Sequence, residues 1–80
     1  MTAKVYVTLK RAVLDPQGKA VERSLARLGF PEARDVRVGR YLEINIEAKS
    51  AEEAGRRVDE MCKKLLVNSV IEEYRHEISE

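Results

Sequence analysis

The sequence is poor in the residues that hold small proteins together by covalent or metal bonds. Its single cysteine, Cys62, excludes an internal disulfide, and its single histidine, His76, leaves no cluster for a structural zinc site. A chain of 80 residues buries only about 60 to 65% of the surface that its unfolded form exposes, so its core must be thin. Association with other chains is the remaining means of gaining stability. The scarcity of cysteine also fits a reducing, intracellular compartment.

An excess of charge of either sign is also missing. Fifteen basic and fourteen acidic residues give a net charge of +1, too little to attract nucleic acid or an anionic membrane. Charges interrupt every hydrophobic stretch, which excludes a signal peptide or a membrane span. No linker, repeat or low-complexity tract divides the chain. We therefore expect one cytoplasmic domain over residues 1–80 that binds neither nucleic acid nor a membrane.

The first third of the chain predicts a strand followed by a helix. Apolar and polar residues alternate from Lys4 to Lys10, which is the period of a half-buried strand. Asp15 and Pro16 suit the N-cap and first position of a helix, and Gly29 suits its C-terminal cap. The predicted buried stripe of this helix is Ala20, Val21, Leu25 and Leu28.

The middle of the chain predicts a hairpin and a second helix. Two alternating runs, 36–38 and 42–46, flank Gly39 and Arg40 and are typical of paired strands. Ser50 and Glu53 have the spacing of a capping box that opens the second helix. The apolar arc of that helix is Ala54, Val58, Met61, Cys62 and Leu65.

The end of the chain predicts one more strand. Asn68 and Ser69 end the second helix, and the last strand runs from Val70 to Ile78. Its inward register stays open, because Ile71 favours one register whereas Tyr74 and Ile78 favour the other.

The predicted order β-α-β-β-α-β is that of a ferredoxin-like α+β fold, with two helices on one face of a four-stranded antiparallel sheet. The other face of that sheet is uncovered, and its two tyrosines favour a subunit interface over a solvated surface. The residues predicted on this open face are Lys4, Tyr6, Thr8, Arg37, Tyr41, Glu43 and Asn45.

Candidate catalytic groups are few. Cys62 lies on the apolar arc with no histidine near it in sequence, so we interpret it as a small buried hydrophobic residue. A lone histidine without a second ligand or nucleophile carries no assignable chemistry, so His76 receives no role. An RNA-recognition module would carry stacking aromatics along its central strands, but here Tyr6 and Tyr41 stand beside Glu43 and Asn45, and the arginine- and aromatic-rich signature of such a module is absent. We expect no catalytic, cofactor-binding or metal-binding residue on this chain.

The loop from Leu14 to Gly18 is the most distinctive local feature. A glycine at the third helical position costs about 1 kcal/mol relative to alanine, which indicates close backbone approach by a ligand, a partner or a neighbouring strand. An ACT-type regulatory domain often has an Asp-x-x-Gly turn here, which Asp15 to Gly18 matches, and would bind an amino acid at a homodimer interface. An acylphosphatase-like enzyme is a more distant alternative, because Arg23 follows Gln17 one residue too late to hold phosphate.

Five blocks in the same order resemble the PurS family, small subunits of phosphoribosylformylglycinamidine (FGAM) synthase. They are Val5-Tyr6-Val7-Thr8-Leu9-Lys10, the loop Leu14 to Gly18, Leu28-Gly29-Phe30, Val36-Arg37-Val38-Gly39-Arg40, and Glu60-Met61-Cys62-Lys63-Lys64-Leu65-Leu66-Val67-Asn68 with Val70-Ile71-Glu72. The resemblance spans nearly the whole chain. Ser69 stands where the family often has proline, which concerns only the turn between helix and strand.

The resemblance implies a non-catalytic assembly subunit for the fourth step of purine biosynthesis. Such a subunit bridges a glutaminase subunit and an ATP-dependent synthetase subunit, forms a homodimer or homotetramer, and supports ammonia transfer between them. ATP and magnesium would then bind the synthetase partner rather than this chain. The candidate partner-facing residues are Asp15, Gln17, Gly18, Arg37, Gly39, Arg40 and Tyr41, and the candidate open-face residues are Tyr6, Thr8, Glu43 and Asn45.

Overall fold

The structure is a computed structural model that describes all of residues 1–80. The elements follow the order β1, α1, β2, α2, β3. Their bounds are Thr2–Leu9 for β1, Pro16–Arg27 for α1, Arg40–Asn45 for β2, Ala51–Met61 for α2 and Glu72–Ser79 for β3. A π-helical turn, Cys62–Leu66, continues α2. None of these helical segments combines the length and the apolar composition needed to cross a membrane.

The sheet has three antiparallel strands in the order β2-β1-β3, so the prediction of four strands is wrong. Residues 36–38 belong to no strand and pair with none. The Val38 N–H donates to the Asp15 carboxylate at 2.8 Å, and the Val36 N–H donates to the Glu22 carboxylate at 3.4 Å. Because side chains of the α1 region take these donors, the segment does not form the predicted hairpin with β2.

The register of the last strand follows from its pairing with β1. Tyr74 lies opposite Val7 and Ile78 lies opposite Ala3, so both point to the face that carries the core. Ile71 precedes the strand and is partly exposed. Of the two registers that the sequence leaves open, the observed one is therefore that favoured by Tyr74 and Ile78.

One thin core joins α2 to the centre of the sheet. Val5 and Val7 of β1 are buried against Val58 and Cys62, and only nine residues of the chain are buried in all. The side chain of Ser50 accepts the N–H of Glu53 at 3.1 Å and caps α2 as predicted. The interpretation of Cys62 as a buried hydrophobic residue is confirmed.

Helix α1 does not lie on the sheet, so the prediction of two helices on one face is wrong. The helix has its predicted caps, with Asp15 at the N-cap and Gly29 in the left-handed region at a φ of 101°. Yet it contacts no strand and no other helix, and its apolar stripe is uncovered: Val21 is 42% exposed and Leu28 is 73% exposed. We call residues 10–39, which include α1, the arm, and the rest of the chain the body.

The projecting arm makes the molecule elongated. Its principal extents are 50 × 26 × 14 Å and its radius of gyration is 15.9 Å. A compact domain of this length has a radius of gyration of about 12 Å. A single copy therefore leaves apolar surface of both the arm and the body without a cover.

Candidate partner interface

The side chain of Asp15 ties the start of α1 to the end of the arm. It is 4% exposed, and its two carboxylate oxygens accept different backbone donors: Gly18 N at 2.9 Å and Val38 N at 2.8 Å. These hydrogen bonds hold the pKa of Asp15 below its ordinary value. The bond from Val38 has the larger effect, and the bond from Gly18 has the next largest. Since both oxygens are occupied within the chain, Asp15 has the geometry of a structural clamp.

Two glycines allow the backbone to pass close to its neighbours at this clamp. A Cβ on Gly18 would lie 2.1 Å from the carbonyl oxygen of Val36, and a Cβ on Gly39 would lie 2.5 Å from that of Val7. The close approach predicted at Gly18 is therefore made by a segment of the same chain. It explains why a poor helix former occupies the third position of α1.

The two arginines predicted to face partners also bind the chain itself. The Arg37 guanidinium donates to the carbonyls of Lys10 and Val13 at 3.0 and 2.9 Å, outside the sheet and not on the predicted open face. Arg40 donates to both carboxylate oxygens of Glu72 at 2.9 and 3.2 Å, and to the carbonyl of Leu66. The Arg37 bonds join the two ends of the arm to each other, and the Arg40 bonds hold the π-helical turn and β3 to the start of β2.

Glu72 was not singled out in the sequence, although it anchors this network. Its carboxylate accepts the backbone N–H of Asn68 at 2.8 Å and N–H groups of the Arg40 guanidinium. Both contacts lower the pKa of Glu72, and the bond from Asn68 has the larger effect. Arg40 and Glu72 are 32 positions apart, on two strands separated by β1. No local pattern in the sequence could have paired them.

A cleft of about 490 Å³ brings several predicted interface residues together. Asp15, Gln17, Gly39, Arg40 and Glu72 are among the residues that line it. The side chain of Gln17 is exposed and makes no hydrogen bond with its own chain. Gly18 ends the loop from Leu14 to Gly18 and Arg37 bonds to Val13 just before it, but neither residue lines the cleft, whereas Tyr41 lies on the open sheet face.

The open sheet face carries the second set of predicted residues. Tyr41 packs on Tyr6 with ring centroids 5.2 Å apart, and the guanidinium of Arg75 lies 3.9 Å from the centroid of the Tyr6 ring. Partial burial and the nearby Glu43 carboxylate raise the pKa of Tyr41. Thr8, Glu43 and Asn45 share this face by the strand pairing. The face is an amphipathic surface with an aromatic centre, and aromatic residues are enriched at protein interfaces.

A further polar cluster lies between α2 and β3. The Asp59 carboxylate accepts the Tyr74 hydroxyl at 2.8 Å and lies 3.1 Å from Nε2 of His76, while Nδ1 of His76 is buried without a partner. Burial raises the pKa of the neighbouring Cys62 thiol, and the negative charge of Asp59 raises it further by a smaller amount. A thiol that stays protonated is a poor nucleophile. The contacts of Asp59 with Tyr74 and His76 attach α2 to β3.

Replacing Tyr74 with phenylalanine should lower the free energy of unfolding by about 1–2 kcal/mol, because the Asp59 carboxylate loses a hydrogen bond. The hydrogen bond to Asp59, with a smaller effect of burial, raises the pKa of Tyr74 to about 12 from an ordinary 10.0. This stabilisation is complete below pH 10 and is lost as the pH rises towards 12. Urea unfolding of both proteins from pH 8 upward should show the difference shrinking; a constant difference would contradict the assignment.

The core, the arm and the inward-facing polar groups define a class of protein: a small α+β association domain whose exposed surfaces are suited to other chains. The family model PurS, described as phosphoribosylformylglycinamidine (FGAM) synthase, matches residues 2–80. The chain belongs to the PurS family.

Individual relatives agree with this assignment. The chain is 53% identical over 77 residues to phosphoribosylformylglycinamidine synthase subunit PurS of Bacillus subtilis, covering 96% of this chain and 90% of the relative. It superimposes on the crystal structure of Methanocaldococcus jannaschii PurS with a TM-score of 0.89 at 37% identity, covering 98% and 94% of the two chains. It matches a chain in the structure of PurLQS from Thermotoga maritima with a TM-score of 0.84 at 32% identity, covering 96% of both chains.

Proposed function

We propose that this chain is a non-catalytic assembly subunit of FGAM synthase in purine biosynthesis. It holds a glutaminase subunit and an ATP-dependent synthetase subunit together and supports ammonia transfer between them. The observation that carries the proposal is the full-length likeness to a chain in the PurLQS structure. ATP, magnesium, glutamine and the nucleotide substrate bind the partner subunits, and the complex works in the cytoplasm.

The distribution of polar groups supports an assembly role. Asp15, Arg37 and Arg40 direct their hydrogen bonds to the chain's own backbone or to Glu72, so they shape the loops rather than act on a substrate. Gln17 and Tyr41 remain available, one at the cleft and one on the open face. These two side chains are the candidate direct contacts, and the other predicted interface residues position them.

The exposed apolar surface supports self-association into a homodimer or homotetramer. Leu28 is 73% exposed and Leu65 is 83% exposed, one on the arm and one on the body. Isolated apolar residues are common on protein surfaces, but here they accompany a helix that contacts no other element. Association between copies would cover both surfaces and would supply the stability that the thin core lacks.

Reconstitution with candidate glutaminase and synthetase subunits tests the proposal. With glutamine as the nitrogen source, omitting this chain should lower activity by more than about tenfold, because the two active sites are no longer held at a high effective concentration. With an ammonium salt instead, omission should have little effect, since free ammonia bypasses the glutaminase. If the chain is dispensable with glutamine and binds a free amino acid by calorimetry, the ACT-like alternative is correct.

The variant Gln17→Ala tests the loop itself within the same assay. The Gln17 side chain makes no hydrogen bond within the chain, so its removal should leave the fold unchanged. Formation of the complex with the glutaminase and synthetase subunits should weaken, as measured by light scattering. The matched Arg40→Ala variant removes the Glu72 and Leu66 contacts and should instead lower the thermal stability of the isolated chain. Unchanged assembly with Gln17→Ala would remove this residue from the interface.

A further inference from the structure

The end of β1 carries backbone groups that no strand of this chain pairs. Successive residues of a central antiparallel strand turn their N–H and C=O groups alternately to the two neighbouring strands. Met1 bonds to Ile46, which follows β2, and Lys10 bonds to Ile71, which precedes β3. Odd-numbered residues of β1 therefore face β2, and even-numbered residues face β3. By this alternation the N–H and C=O of Leu9 point to the β2 side.

Strand β2 begins too late to reach Leu9. The register places Arg40, its first residue, opposite Val7, so the position opposite Leu9 falls to Val38. The N–H of Val38 donates instead to the Asp15 carboxylate at 2.8 Å, and no loop hydrogen bond of the chain involves Leu9. The backbone donor and acceptor of Leu9 are thus both unpaired, because Asp15 takes the Val38 group that would meet them.

These unpaired groups border the cleft of about 490 Å³, which Leu9 lines together with Val7 and Val38. Val7 and Leu9 lie on the face of β1 that carries the core, so their side chains give the cleft an apolar floor. Gly39 lines the cleft without a side chain to fill it. The end of β1 therefore meets open space where a neighbouring strand would lie.

The charged groups around the cleft are already matched within the chain. The two oxygens of Asp15 accept backbone N–H groups, and Arg40 is paired with Glu72 at 2.9 Å. The carboxamide of Gln17, which makes no hydrogen bond within the chain, is the remaining polar group among the lining side chains. An occupant of the cleft therefore needs hydrogen-bonding groups and an apolar surface but no charge.

An extended peptide segment meets these requirements. One residue of such a segment presents its N–H and C=O on the same side, which complements the two groups of Leu9. Side chains directly opposite each other in a sheet point to the same face, so this residue would place its side chain beside Leu9, over the apolar floor. Pairing of this kind draws affinity from main-chain hydrogen bonds and specificity from the pockets that receive alternate side chains.

We infer that an extended segment of a partner subunit docks in the cleft, pairs through its backbone with Leu9 and places an apolar side chain over Val7 and Leu9. The inference rests on the assembly role in the proposed function and adds the place and the chemistry of the contact. Gln17 offers a further donor and acceptor to the backbone of the same segment. The expected partner sequence is therefore an uncharged, apolar stretch rather than an acidic or basic one.

Hydrogen exchange at single amides tests the inference. In the isolated chain the Leu9 amide should exchange at least about tenfold faster than those of Thr8 and Lys10, which face β3. In the reconstituted complex with the glutaminase and synthetase subunits it should slow by at least about tenfold, as resolved by fragmentation mass spectrometry after quenching. Fast exchange of Leu9 in a complex that has formed would overturn the inference. Protection in the chain alone, at the same concentration, would assign the position to a second copy and would also overturn it.

Proline substitution provides a second test. Leu9→Pro and Leu9→Ala both remove the leucine side chain, but only proline removes the N–H. The two variants should have similar stability in urea, whereas Leu9→Pro should bind the partner subunits about tenfold more weakly than Leu9→Ala. Thr8→Pro removes an N–H that faces β3 and should be much less stable than Leu9→Pro. Equal binding of the two Leu9 variants, or a Leu9→Pro chain as unstable as Thr8→Pro, would disprove the pairing. Failure of the proposed function would look different, because glutamine-dependent activity would then be complete without this chain.

Discussion

Replacing Gly18 with alanine should lower the free energy of unfolding by about 1–3 kcal/mol, although alanine is the better helix former. The added Cβ would lie 2.1 Å from the Val36 carbonyl oxygen and 2.9 Å from an Asp15 carboxylate oxygen. Backbone cannot move aside as a flexible side chain can, so residues 36–38 must shift and the Asp15 bond to Val38 is strained. Urea unfolding followed by circular dichroism measures the loss.

The same substitution at Gly55 is the matched control. Gly55 lies inside α2, and a Cβ there would meet only Cε1 of His76 at 3.5 Å, an ordinary contact. Gly55→Ala should therefore raise stability by about 0.5–1 kcal/mol, as expected for removing a glycine from a helix interior. If both variants change stability in the same direction, the close approach at Gly18 is not what makes glycine necessary there.

Replacing Asp15 with alanine should destabilise the chain about twice as much as replacing Ser50 with alanine. Each residue caps a helix, but Ser50 satisfies one exposed N–H, whereas Asp15 also satisfies the partly buried N–H of Val38. The Asp15 variant should also lose the fixed direction of the arm and with it the proposed self-association. Denaturant unfolding and light scattering check the two effects; equal costs at the two caps would show that the Val38 bond contributes nothing.

The Asp15 interaction also predicts the response to acid. The pKa of Asp15 in the folded chain lies below its ordinary value of 3.8, so its stabilisation is complete above that pH and is lost as the pH falls through the folded pKa. Asp15→Asn carries no charge to titrate at this position. The stability difference between wild type and Asp15→Asn should therefore narrow in acid, and a difference that stays constant down to pH 2 would contradict this account.

Local patterns predicted the elements of this chain with good accuracy. The Asp15-Pro16 start of α1, the Ser50 cap of α2 and the burial of Cys62 are all as expected, because each depends on residues within a turn or two of one another. Alternation also predicted strands near both ends of the chain. It failed at residues 36–38, where the apolar period is present but the backbone donors are taken by Asp15 and Glu22.

The candidate interface residues were predicted from their local chemistry, but what their side chains contact within the chain needed the structure. A buried aspartate, a glycine at a helix start and two arginines in a loop indicate an unusual site, without saying whether its bonds go to a partner or to the chain. Arg37 and Arg40 bind carbonyls and a carboxylate brought close only by folding. The exposed Gln17 and Tyr41 are left as the proposed contacts.

The sequence by itself determined that this is a small α+β chain of the PurS family, because composition, capping and blocks of residues are local properties. Only the tertiary structure decided that α1 projects from a three-stranded sheet. The physical reason is that the direction of a helix is set by a few long-range hydrogen bonds at its root. The apolar stripe of α1 has the same period whether the helix packs on its own sheet or projects from it, so nothing in that period distinguishes the two arrangements.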